Sequence, residues 1–169
     1  MPYTLKGFLS VGDWIYEGDA ITRVQDEDQN VLETVTQDVD GGKVGDAAQF
    51  SAGLGLDIEV AERFSFDTDV RFYDELYANV GAVKENLKLP SYHLFDMGLS
   101  YKMFVNDATL DVRLNVNNVF DNIYISELRS ARQAGDPNGT GVLYNGIDTS
   151  NSGYFGLGRT WNVGLRYNF

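Results

Sequence analysis

Cysteine is missing from all 169 residues, which excludes a disulfide framework, a thiolate metal site and a cysteine nucleophile. An oxidising compartment stays allowed. Histidine occurs once, as His93, which removes most zinc sites and any triad that needs a second imidazole. Three prolines against eighteen glycines favour strands broken by Gly-rich turns over long helices. Positive charge is scarce as well: 13 Lys and Arg face 25 Asp and Glu, and the net charge of -12 is the wrong sign for a nucleic-acid partner. No apolar run approaches the roughly 18 to 20 residues of a membrane helix, a test that strand-built membrane proteins escape by hiding lipid-facing residues between polar ones. "MPYTLKGFLS" has no basic region followed by an apolar core, so it is not a secretory signal peptide. The expectation is either a cytoplasmic protein or part of a longer chain.

What the sequence does hold is alternation. In "TWNVGLRYNF", Trp161, Val163, Leu165, Tyr167 and Phe169 fall on one side and Thr160, Asn162, Gly164, Arg166 and Asn168 on the other. That period of two fits a strand. It recurs in "DATLDVRLNVNNVF", "SYHLFDMGLSYKMF", "RFSFDTDVRFY" and "FSAGLGLDIEV", while "YTLKGFLSVGDWIY" makes a sixth strand in which Phe8 and Trp14 fall out of phase. The connections alternate too. "AER" and "VND" are tight turns, whereas Glu17 to Ala48, Asp74 to Pro90 and Asp121 to Ser152 are long and rich in Asp, Asn and Gly. An antiparallel up-and-down meander with these lengths puts every short turn on one rim and every long loop on the other, the asymmetry of outer-membrane barrels.

A soluble sandwich also has one apolar and one polar face per strand, so alternation alone does not separate the two. Strand length favours the barrel: ten residues tilted by roughly 40 degrees rise about 25 Å, the height of a barrel's apolar band. Aromatic residues also gather near strand ends, among them Trp14, Tyr16, Phe72, Tyr73, Tyr92, Phe120, Tyr124, Tyr154, Phe155, Tyr167 and Phe169, as interfacial girdles do. The fold expected is an all-β partial transmembrane barrel of about six long strands over residues 1–169.

"NVNNVFDNIYIS", "LPSYHLFDMGLSYKM" and "GRTWNVGLRYNF" together resemble the C-terminal barrel strands of TonB-dependent outer-membrane transporters, and "GGKVGDAAQFSAGLGLD" resembles their Bacteroidetes-type branch. The family motif falls on Asn118, Val119, Phe120, Asp121 and Tyr124, with Val119 where Leu is more usual. By this resemblance Val163, Leu165, Tyr167 and Phe169 form the signal read by the barrel assembly machinery; physically they need only be lipid-facing side chains. The resemblance further implies a receptor in the bacterial outer membrane that imports a scarce nutrient with energy relayed through TonB. A whole transporter closes about 22 strands around a plug. The chain is therefore expected to be a fragment whose partners are outer-membrane lipid, the rest of the barrel and plug, and TonB through an N-terminal part it does not contain.

Asp57, Glu59, Asp67, Asp69, Arg71, Asp96, Lys102, Asp111, Arg113 and Arg166 lie on the polar phase, where cross-strand pairing and lumen solvation explain them. "QDEDQN" departs from the calcium loop, since Val31 stands where Gly is required and Gln37 at position twelve. "GGKVG" lacks the Lys-Ser/Thr of a phosphate loop, and "NGT" at Asn138 is loop composition. His93 falls on the apolar phase near a strand end, an interfacial position. No enzyme activity, cofactor or metal is expected. Two other readings stay open: a complete eight-stranded barrel with two strands hidden in Glu17 to Ala48, and a soluble β-sandwich that displays the long loops for recognition.

Overall fold

The computed structural model describes residues 2–169, and every regular element among them is a strand. In chain order these are β1 (Tyr3–Val11), β2 (Asp19–Gln25), β3 (Val31–Asp38), β4 (Phe50–Ala61), β5 (Phe64–Asp74), β6 (Tyr92–Val105), β7 (Ala108–Asn117), β8 (Ile125–Leu128), β9 (Leu143–Tyr144), β10 (Ile147–Asp148), β11 (Gly153–Phe155) and β12 (Thr160–Asn168). The six long ones form one antiparallel sheet in the order β1-β4-β5-β6-β7-β12. Their lengths run from 9 to 14 residues, well beyond the usual five or six of soluble strands. The meander read from alternation is the observed sheet. It is open, with β1 and β12 as its edges and no pairing between them.

Register carries the two-residue period across all six strands. Tyr3, Ile58, Phe66, Leu99, Leu114 and Val163 stand opposite one another in one row, and the adjacent row is Thr4, Asp57, Asp67, Gly98, Asn115 and Asn162. One face is therefore apolar from edge to edge and the other polar. Among the described residues no second layer covers the apolar face: Trp161 is 71% exposed and Leu165 69%. On the polar face Asp57 stands directly opposite Asp67, a repulsive pairing. Cations relieve it, since Lys6 pairs with Asp57 and the Arg113 guanidinium donates to both Asp67 oxygens at 3.0 Å.

Phe8 does lie out of phase, and the reason is local. It faces Gly53 across the β1–β4 ladder, and its ring lies over the space that a glycine leaves on the polar face. The first strand is shorter than the sequence suggested, because it ends at Val11. Beyond it the chain turns into the loop, and Ile15 keeps only an isolated bridge to Lys43.

Both tight connections are two-residue turns, Glu62-Arg63 and Asn106-Asp107. Asn106 takes a φ of 55°, a conformation its short amide side chain tolerates. The three long connections lie at the opposite rim, and they fold rather than drape. The first contains the hairpin β2–β3, so two strands are indeed hidden in Glu17 to Ala48. They pair only with each other, and the eight-stranded sheet is not formed. The buried cluster of the protein sits in these loops: Leu76, Ala78, Leu87 and Leu89 from the second pack with Ile125, Leu128 and Ile147 from the third, and Ala48 of the first closes against them.

Candidate functional site

Two groups of residues stand out in the sequence; the fold spreads one along the apolar face of β12 and sets the other at the long-loop rim. Val163, Leu165 and Tyr167 share the apolar face of β12, opposite Leu114, Val112 and Leu110, with Phe169 just past the strand. The Phe169 ring lies 6.2 Å from that of Tyr167, and both are exposed. Asn118, Val119, Phe120, Asp121 and Tyr124 lie instead where β7 runs into the third long loop.

At that rim the motif works as a lock between three strands. Asn118 is only 4% exposed and adopts a φ of 50°. This left-handed residue stops β7 and turns its amide inward. Its Nδ2 donates to the carbonyls of Asn122 (2.9 Å) and Leu157 (3.2 Å), and its Oδ1 accepts from the Asn122 N–H at 2.9 Å. Its backbone N–H donates to Asp96 Oδ1 on β6 at 2.8 Å. The next residue, Val119, donates its N–H to the Phe95 carbonyl at 2.8 Å. Asp121, also left-handed, accepts from the Arg159 N–H at 2.7 Å and so fixes the entry to β12. The side chains join in: the Phe120 ring meets Phe95 at 5.3 Å, and Tyr124 stacks on Tyr92 at 4.1 Å, which stacks on Tyr73 at 5.0 Å. Gly156 is required beneath Tyr124, because any side chain there would occupy the phenol ring.

Asp96 ties this lock to the polar face, since it also pairs with Arg71 on β5. Neither residue carries a role in the sequence motif. The signal was there in the polar phase of two neighbouring strands, but the pairing depends on register, which alternation does not specify.

The loop cap has its own polar supports. Gln49, 2% exposed, donates from Nε2 to the carbonyls of Trp14 (2.9 Å) and Val44 (3.1 Å) and accepts the Trp14 N–H at 3.1 Å. Asp148, 1% exposed, accepts the N–H groups of Ser150 (2.8 Å), Thr140 (3.1 Å) and Gly141 (3.0 Å) and the Thr140 hydroxyl at 3.0 Å. The Ser150 amide beside it, with the amide and hydroxyl of Thr140, holds its carboxyl well below the ordinary carboxylate range. The donor from Ser150 two residues on is an Asx-type turn legible in "DTS"; the rest of the network comes from folding. Burial, then the carboxylate of Glu75 accepting its hydroxyl at 2.6 Å, pushes the Tyr77 phenol up to about 12. Lys88, 2.5 Å from Glu75, holds that carboxyl below its usual value.

Among the described residues no group of three or more His, Cys, Asp or Glu side chains is placed to hold a metal ion. No helix is long and apolar enough to cross a membrane. What the arrangement offers is a wall with one greasy and one charged face, a knotted rim, and a capped loop assembly above it. No protein-family model, curated protein or solved structure matches this chain.

Proposed function

We propose that residues 1–169 form part of the wall and surface loops of a bacterial outer-membrane barrel, a receptor of the TonB-dependent kind that takes up a nutrient. One observation carries the reading. Six long strands present rows that are apolar apart from Thr68 and His93 to one side, with no protein layer against them among the described residues, while the buried apolar cluster sits in the loops of one rim. In water such a face far exceeds the few hundred Å² of apolar patch that a monomer tolerates, so hydrocarbon tails are its natural neighbour. The polar face then lines a watery interior, and the loops point to the cell exterior and capture ligand. In this reading the partners are lipid, the remaining strands and plug of the barrel, TonB reached through that remainder, and the assembly machinery acting on Val163, Leu165, Tyr167 and Phe169.

The sandwich reading needs Trp161, Val163, Leu165 and Tyr167 to be inside protein, and all four are exposed. The deciding experiment uses the two tryptophans. With Trp14→Phe removing the loop fluorophore, Trp161 is expected to be quenched by lipids brominated on their acyl chains after the protein is fractionated with outer membranes. A soluble monomer whose Trp161 emission ignores those lipids would sink the proposal.

A further inference from the structure

The seam at β12 describes its own missing neighbour. Five glycines lie within the six-stranded sheet, and four are covered by a side chain of the adjacent strand. Phe8 lies over Gly53, Asp69 over Gly55 and Asp67 over Gly98, all on the polar face; Leu54 lies over Gly7 on the apolar face. Gly7 belongs to the other edge strand, so an edge position does not by itself leave a glycine bare. Gly164 of β12 is different, with nothing within 4 Å of where a Cβ would sit. It is on the polar phase beside Arg166. Arg166 stands opposite Asp111, which is shared with Lys102 at 4.0 Å, and makes no ion pair among the described residues. Every residue of β12 is exposed along its full length.

We infer that the free edge of β12 pairs with a further antiparallel strand, outside residues 1–169, that lays a long side chain over Gly164 and sets a carboxylate beside Arg166. The inference rests on the barrel reading above and gives the closing strand its chemistry. β1 does not fit that description, either from the same chain or from a second copy. Its polar phase offers Thr4, Lys6, Phe8 and Ser10, with no acid; Lys6 repels Arg166, and Phe8 is already used over Gly53. An empty polar site above a glycine in a strand loses side-chain contact that a neighbour's long residue restores.

The test is residue-resolved hydrogen exchange on the full polypeptide purified from cells that make it. A paired seam protects all amides of Trp161–Asn168 alike, whereas a free edge leaves every second amide exchanging at least about a hundredfold faster than its neighbours. Uniform protection that survives dilution is the expected result. Alternating protection overturns the inference, and so does uniform protection that disappears on dilution, which marks a second copy. Gly164→Trp should return β12 to alternating protection, its β7-bonded amides still held, while β4 to β6 keep theirs; a Gly164→Trp protein with β12 protected uniformly as before removes the claim on that side chain. Fractionation is read separately. Uniform protection in a protein that never reaches a membrane keeps the seam and ends the transporter reading, and alternation in a membrane-inserted protein does the reverse.

Discussion

The sheet and its loop cap reverse the usual division of labour. In an ordinary soluble domain the strands hold the core and the loops are solvated. Here the long strands leave their apolar rows open, and the connections bury Leu76, Leu87, Leu89, Ile125 and Ile147. The cap is stabilised by water exclusion within the protein. The wall is held by ladder hydrogen bonds and cross-strand pairs, and its apolar side is left open. Under the proposed barrel reading that side meets hydrocarbon, so one chain would follow two sets of solvation rules, with the boundary at the rim where Asn118 sits.

Substitutions in each region should separate the two regimes. Leu89, 2% exposed in the cap, should lose about 2–5 kcal/mol of stability as Leu89→Ala, measured by denaturant unfolding monitored through Trp14. Placing a charge at the middle of the wall, as Val163→Arg, should cost about 2–4 kcal/mol in a bilayer, because the guanidinium meets hydrocarbon. The same change in detergent-free water should be nearly neutral, and an equal cost in both media would erase the contrast. At the boundary, Asn118→Ala removes three side-chain hydrogen bonds and forces alanine to hold a left-handed φ, an expected loss of about 1–3 kcal/mol. Hydrogen exchange should then rise at the β7–β12 junction and leave the β2–β3 hairpin unchanged.

The mildest change comes with pH. The Asp148 carboxyl is held lower in the fold than in the unfolded chain, so its contribution is complete above about pH 4 and fades as acid is added below that. Exchange of the amides from Gly139 to Ser150 should quicken on acidification. Asp148→Asn should loosen the segment at neutral pH and flatten this acid response, because its Nδ2 would face the Gly141 N–H that now donates to Oδ2.

Much of the wall could be read from the chain, because a period of two and the contrast of short and long connections are local properties. All six long strands and both tight turns follow from them. The out-of-phase Phe8 looked like a flaw in the pattern, and only the register that sets it on Gly53 turns it into packing. The cap was not legible. Leu76, Leu87 and Leu89 have no shared period with Ile125 and Ile147, and their meeting is set by three loops whose ends the sheet fixes. The motif residues were legible as a group, but the work of Asn118 depends on Asp96, twenty-two residues earlier, and on carbonyls contributed by the returning chain.

The two-residue turns carry a consequence for how this protein can change over time. With no spare backbone at Glu62-Arg63 or Asn106-Asp107, an inserted peptide there would break the turn that helps to fix the register of its hairpin. The tip of the β2–β3 hairpin, from Asp26 to Asn30, has no such duty. Inserted tags and naturally acquired insertions therefore belong on one side of the molecule only.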